Sequence, residues 1–289
     1  MKLLVVGAKG MLAHDVCRVA QRAGHELILA DLPELDITDE DAVVAFFERE
    51  RPQSTINCAA WTDVDGAESN IEGARAVNAQ GAGNLGRAAA LIGTPLLHLS
   101  TDYVFDGTAP LEEGGRPRPY LESDPTGPRS VYGETKLAGE RQVLEASSRH
   151  TVVRTAWLYG VNGRNFVETM LRLASERDTV QVVDDQVGSP TWSGHLAPAL
   201  VGLLERGVSG IVHQAGAGSI SWNGFAKEIF RQAEVGCRVE AITSEQMARP
   251  APRPAWSAMQ SGRPDVIPMP DWRDGLAGYL AARAGVLSA

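Results

Sequence analysis

The run Leu3-Leu4-Val5-Val6 ends at Gly7, and from Met11 apolar residues recur at helical intervals up to Ala23, ahead of Gly24. A strand that turns through Gly7-Ala8-Lys9-Gly10 straight into a helix leaves the first N–H groups of that helix without partners and aims its dipole at the turn. The same strand-then-helix alternation continues along the chain. A run over 26–30 ends at Asp31, and Thr38, Asp39 and Asp41 open a helix through Phe46 and Phe47. Strands over 55–60, 95–100 and 152–157 follow, separated by an Ala-rich helix over 74–92 and a helix over 131–146. Strands joined by helices imply right-handed crossovers and a sheet buried on both faces. The fold class is therefore α/β, a Rossmann-type doubly wound parallel sheet.

Residues 161–289 are less regular. An amphipathic helix over 165–177 precedes apolar segments over 180–183, 196–205 and 211–214 and a helix around 225–232. These predict a smaller C-terminal substrate-binding lobe over the carboxyl ends of the strands, where doubly wound sheets take their ligands. The expected division is a dinucleotide-binding domain over 1–160, with 178–215 partly returning to it, and a lobe over 161–289. The Gly- and Pro-rich stretch 107–129 reads as a loop between ordered segments, not a linker.

With 289 residues, 44% hydrophobic and 22% charged, the chain can bury a large core, and disordered, collagen-like and coiled-coil classes are excluded. Acidic residues number 36 against 27 basic, and the net charge of −9 argues against a nucleic-acid or anionic-membrane partner. No apolar run approaches the ~20 residues of a membrane span, and the start is too short for a signal-peptide core. Cys17, Cys58 and Cys237 are far apart and odd in number, which points to a reducing cytoplasm and no structural zinc.

Three features carry chemistry. The Gly7 to Ala13 stretch can hold a pyrophosphate on backbone N–H groups, and Asp31, 24 residues beyond Gly7, stands where a carboxylate hydrogen-bonds a ribose hydroxyl. Ala13 takes the place of a third glycine, with a methyl small enough for close helix packing. Tyr132 and Lys136 lie at i and i+4, on one face of a helix, so the ammonium is expected to lower the phenol's pKa and ease proton exchange with a carbonyl oxygen. Alone, that pair reads first as an exposed tyrosine beside a solvated lysine. The run Leu99-Ser100-Thr101-Asp102-Tyr103-Val104-Phe105 changes the reading, because it leaves a strand's carboxyl end and lets the Thr101 hydroxyl donate to the same carbonyl.

Taken together, these segments resemble the extended short-chain dehydrogenases, and within them the dTDP-4-dehydrorhamnose reductase family. The likeness rests on Gly-x-x-Gly-x-x-Ala, the stretch from Asn57 to Glu68, the Ser100 to Phe105 run and Tyr132 to Glu140. It continues through Arg154 to Tyr159, Asn165-Phe166, Val183 to Thr191, and Arg249 to Pro254 with Ser257. The resemblance implies hydride transfer from NADPH or NADH to the C4 ketone of dTDP-4-dehydro-L-rhamnose. It implies Tyr132 as proton donor, Lys136 on the nicotinamide ribose and Thr101 polarising the ketone. By the same matching, Gly7, Gly10, Met11 and Leu12 meet the pyrophosphate, Asp36 and Ile37 the adenine, and Ala59 and Ala60 the nicotinamide half. Val64, Asp102, Tyr103 and Trp157 line the sugar and nucleotide pocket, while Arg253 is either a forked donor to the diphosphate or a solvated loop residue.

The six histidines form no ligand cluster. Members of the resembled family that bear metal place a carboxylate just after Gly-x-Pro-Thr; here Trp192-Ser193-Gly194-His195-Leu196 offers none, although Asp15 remains on the first helix. No metal site is expected, magnesium is doubtful, and a homodimer is left open. Two other readings stand beside the reductase of dehydrorhamnose: a reductase for another dTDP-4-keto-deoxysugar, and a non-catalytic nucleotide-binding subunit resembling the methionine adenosyltransferase regulators.

Overall fold

The computed structural model describes residues 1–287. Six strands, β1 (Lys2–Val6), β2 (Glu26–Ala30), β3 (Ser54–Asn57), β4 (Leu96–Thr101), β5 (Thr151–Thr155) and β6 (Gly210–His213), form one parallel sheet in the order β6-β5-β4-β3-β1-β2. Alternate side chains of β1 feed two cores. Leu3 and Val5 pack with Leu12 and Val16 of α1 (Met11–Arg22) and with Leu196 and Leu200. Leu4 and Val6 pack on the other face with Val43 and Phe47 of α2 (Glu40–Glu50) and with Leu85. Burial on both faces is why these strands read as unbroken apolar runs.

Two short helices, α3 (Val64–Ser69) and α4 (Ile71–Arg75), lead through a π-helical turn, Ala76–Gly81, into α5 (Ala82–Leu91). The single helix expected over 74–92 thus starts earlier, at the Asn70 cap, and is widened midway. At the widening, the Asn78 side chain accepts the Trp61 N–H and donates to the Trp61 carbonyl, and it also donates to Thr135. Helix α6 (Val131–Ala146) falls where the pattern placed it. Two strands stop short of the expected ends: the Asn57 side chain takes the Ala59 N–H and ends β3, and β5 ends before Trp157, whose φ is +46°.

Beyond α7 (Phe166–Glu176), the segment 180–183 does not return to the sheet. It belongs to the strand Thr179–Val183, which pairs in parallel with Arg238–Ile242 in a separate ribbon. Within 178–215 the return is made by α8 (Ser193–Glu205), which packs on α1, and by β6. The remaining helices are α9 (Trp222–Gln232), α10 (Ser244–Met247) and α11 (Trp272–Leu287), and Phe225, Ile229, Trp272 and Leu276 build a third core with Val167 and Val180. Connections reverse direction between β1 and β3, so the ligand crevice of such a sheet opens there, at the carboxyl ends.

Candidate active site

At that switch point Gly7 has φ +74°, and a Cβ on it would lie 2.6 Å from the Ala59 backbone nitrogen. Only glycine allows this turn to close onto β3. Gly10 caps α1 without a side-chain hydrogen bond and the first turn holds no acidic residue, so the N–H groups at Met11 and Leu12 and the positive dipole end face the crevice uncompensated. The Asp31 carboxylate accepts the Lys9 and Leu32 N–H groups, both at 2.8 Å, which fixes it at the end of β2. Further along, Asp36 is exposed and accepts from the Thr38 N–H and hydroxyl, while Ile37 is buried and its carbonyl accepts from Asn84. Ala59 and Ala60 follow β3 after Cys58, half-buried. An uncapped helix end and a turn that no Cβ could enter suit a dinucleotide's pyrophosphate.

Across the crevice, α6 is pinned at its start by Ser130, which caps the Gly133 N–H, and by Glu68, which accepts the Val131 N–H at 2.9 Å. Gly133 lets the helix press against the turn after β4, since a Cβ there would sit 2.3 Å from the Tyr103 carbonyl. Deeper in the helix, buried Glu140 receives a forked pair of bonds from Arg154 of β5, at 2.9 and 2.7 Å, and the hydroxyl of Ser100 of β4. These ties orient Tyr132 and Lys136 toward the end of β4.

Lys136 is 2% exposed and donates to the Leu99 carbonyl at 2.6 Å; its Nζ also lies 3.4 Å from His98 Nε2, and His98 Nδ1 lies 3.0 Å from the Asn57 amide. Burial brings its ammonium down to about 8, against the pull of Glu140. Burial and the neighbouring Lys136 hold His98 well below its ordinary value, so the imidazole is neutral. The expected lowering of Tyr132 by Lys136 is not what the structure shows. Burial pushes the phenol up to about 12, the Thr101 hydroxyl favours the phenolate and Asp102 opposes it. The reason is geometric: the ammonium is engaged by Leu99 and His98. Tyr132 is a phenol at neutral pH, the form that donates a proton.

Thr101 donates to Asp102 Oδ1 at 3.0 Å and accepts the Tyr103 N–H at 3.3 Å, and the rings of Tyr103 and Tyr132 meet edge to face at 5.3 Å. Val64 opens α3 at the rim. Trp157 stacks on Trp222, which opens α9, with centroids 3.5 Å apart and planes within 3°. Arg253 is not solvated. Its guanidinium forks onto Asp65 at 2.6 and 2.8 Å, ties the Pro-rich 249–254 segment to α3, and with Arg249 and the Ala251 N–H holds the Asp65 carboxyl down to about 2.

Sequence reading missed Trp222, Asp65, His98 and the positioning pair Glu140 and Arg154. Asp65, Glu140 and Arg154 lie in stretches quoted for the resemblance, but their partners are distant in the chain; nothing in the spacing marks Trp222. Asp15 is committed elsewhere, accepting from the Ser193 hydroxyl and pairing with Arg18 at 2.6 Å. Among the described residues, no three His, Cys, Asp or Glu side chains converge as metal ligands, and no helix is long and apolar enough to cross a membrane.

Comparison with known proteins agrees with this architecture. The family model described as RmlD substrate binding domain matches residues 1–284. A dTDP-4-dehydrorhamnose reductase of Mycobacterium tuberculosis is 44% identical, over 99% of this chain and 95% of its own. A dTDP-4-keto-6-deoxy-D-glucose reductase of Streptomyces niveus is 42% identical, over 89% and 87%. The crystal structure of a Bacillus anthracis dTDP-4-dehydrorhamnose reductase in complex with NADP superposes with a TM-score of 0.92 at 36% identity, covering 97% of this chain and 99% of that one. With the crevice, the paired Tyr132 and Lys136 and near-complete coverage in agreement, the chain belongs to the dTDP-4-dehydrorhamnose reductase family, in the Rossmann-type α/β class.

Proposed function

We propose that this protein reduces the C4 ketone of dTDP-4-dehydro-L-rhamnose to the alcohol of dTDP-L-rhamnose, using NADPH or NADH. The observation that carries the reading is the meeting of Thr101, Tyr132 and Lys136 at the end of β4, beside an uncapped helix N-terminus. The reduced nicotinamide, when bound, supplies the hydride. Gly7, Gly10, Met11 and Leu12 would hold the pyrophosphate, Asp31 a ribose hydroxyl, Asp36 and Ile37 the adenine, and Ala59 and Ala60 the nicotinamide half. Lys136 would hold the nicotinamide ribose. For that reduction Tyr132, a phenol at neutral pH, would release its hydroxyl proton to the ketone oxygen O4, and the Thr101 hydroxyl would donate a hydrogen bond to the same oxygen as it gains charge. Val64, Asp102, Tyr103 and Trp157 enclose the sugar, and Arg253, held by Asp65, stands at the diphosphate side.

The Streptomyces niveus relative gives a second reading a specific footing, reduction of another dTDP-4-keto-6-deoxy sugar. A panel of dTDP-4-keto sugars, assayed for NADPH and NADH oxidation with the product's C4 configuration read by NMR, decides. Turnover of dehydrorhamnose to the rhamnose configuration supports the first reading; turnover restricted to another keto sugar supports the second. Absence of turnover with capture of a synthetase subunit would favour the regulator. The three cysteines are free, which supports a reducing cytoplasm.

A further inference from the structure

Thr101 has one hydroxyl hydrogen and three claimants for it. Asp102 Oδ1 accepts it at 3.0 Å, the Tyr132 oxygen lies close enough to be influenced by it, and the proposed chemistry needs it on the ketone. While the carboxylate keeps that hydrogen, Thr101 has none to give. Behind the turn, Asp102 is 2% exposed and its Oδ2 is enclosed without a hydrogen-bond partner; Ser257, 1% exposed on the segment that follows Arg253, has an enclosed Oγ equally without one. A buried polar atom left without a partner is costly, and the Ser257 hydroxyl stands near enough to act on the Asp102 carboxyl, so the two together call for an explanation.

We infer that Asp102 and Ser257 form a positioning pair that directs the Thr101 hydrogen, so that Thr101 donates to the substrate ketone only when Asp102 carries a proton. This rests on the ketoreductase reading above. In the protonated state the Asp102 O–H donates to Thr101 Oγ, which frees the Thr101 hydrogen for O4. In the ionised state Thr101 is held as found here, and Ser257 Oγ favours that charge.

Charge and burial agree with the geometry. Burial lifts the Asp102 carboxyl to about 6, and the Ser257 and Thr101 hydroxyls work against that rise. The groups facing it are those two hydroxyls and the phenols of Tyr103 and Tyr132, which are neutral near pH 7; Arg253 and Asp65 act on Tyr103 behind it. Asp102 therefore passes from neutral to ionised as pH rises through about 6, and the competent form declines with it.

The test is the pH profile of kcat/KM on the reducible dTDP-4-keto sugar for the wild type, Asp102→Asn, Thr101→Val and Ser257→Ala, each first checked for dinucleotide binding by tryptophan fluorescence. The wild type should lose about 50-fold between about pH 6 and about pH 8, as for a single required proton. Asp102→Asn and Thr101→Val, whatever their absolute rates, should change less than about threefold over the same range, because the switch has lost its titrating group or its hydroxyl. Ser257→Ala should move the midpoint up by about half a pH unit. A flat wild-type profile, a limb that persists in Asp102→Asn or Thr101→Val, or an unmoved midpoint in Ser257→Ala overturns the pair. If Asp102→Asn fails to fold, Thr101→Val and Ser257→Ala carry the test. A wild type inactive on every keto sugar refutes the functional reading instead; the pair is then read from the Asp102 carboxyl NMR titration, whose midpoint must rise in Ser257→Ala.

Discussion

The proposed cradle for the dinucleotide and the proposed face for the substrate lie opposite each other across one crevice, yet they are made of different things. The cradle is backbone: Gly7, Gly10 and the free N–H groups at Met11 and Leu12 come from one uninterrupted strand, turn and helix. The proposed substrate face is side chains: Tyr103 beside Tyr132, Trp157 stacked on Trp222, and Arg253 held by Asp65, all joining residues far apart in the chain. A backbone site tolerates changes in side chain and fails when a side chain intrudes. A side-chain site fails one contact at a time.

The largest effect should follow intrusion into the cradle. Gly7→Val forces a β-branched residue to φ +74° against the Ala59 backbone, and stability should fall by about 2–5 kcal/mol, measured by urea unfolding. Dinucleotide affinity should drop beyond measurement, and wild-type binding by this variant would show that close backbone approach is not what makes the cradle. Tyr132→Phe is the converse, a change on the opposite side that leaves the cradle alone. Here kcat should fall at least ~100-fold, about 2.7 kcal/mol, with dinucleotide affinity within about threefold. Retention of most of the rate would remove Tyr132 as the proton donor.

Smaller effects should come from the contacts between lobes. Trp222→Ala takes away the ring on which Trp157 stacks, and kcat/KM should fall about fivefold to tenfold, mainly through KM, as expected for an aromatic pair worth about 0.5–1.5 kcal/mol. Were kcat to fall and KM to stay, the stack would be acting on chemistry and not on the binding face. Asp65→Asn should have the mildest effect, a rise in KM of about threefold as Arg253 loses its fork. It also has a pH signature. The Asp65 carboxyl is held down to about 2 from 3.8, so its pairing stabilises the fold above about pH 4 and is lost as pH falls toward 2. Melting temperature against pH should show that acid-side decline in the wild type and a shallower one in Asp65→Asn; parallel curves would mean that the pairing adds nothing to stability.

The same contrast governs what can be read without coordinates. Strand, turn and helix at the N-terminus are local, so apolar runs, the spacing of Gly7 and Gly10 and the position of Asp31 suffice to place the β1-turn-α1 unit on which the proposed cradle rests. Helix α6 is legible for the same reason, and with it the shared face of Tyr132 and Lys136. Electrostatics at that face are not. The lysine at i+4 promised a lowered phenol, but Leu99 and His98, 37 and 38 residues away, take the ammonium, and burial sets the phenol high. Arg253 was ambiguous because its partner Asp65 lies 188 residues away.

In the second lobe the local signal is weaker. The sequence left open which part of 178–215 returns to the sheet, since an apolar run does not say which neighbour it will pair with; Thr179–Val183 pairs with Arg238–Ile242 instead. Helix α11, rich in Gly and Ala, has too little apolar periodicity to announce itself, yet Trp272, Leu276 and Tyr279 complete the third core. What the sequence alone determined is the class of sheet, the strand-turn-helix at the N-terminus and the helix that carries Tyr132 and Lys136, because each depends on residues a few positions apart. Tertiary structure alone decided the charge state of Tyr132, the hold of Asp65 on Arg253 and the stacking of Trp222 on Trp157, because burial and pairing across the chain are properties of the assembled core and not of any segment of it.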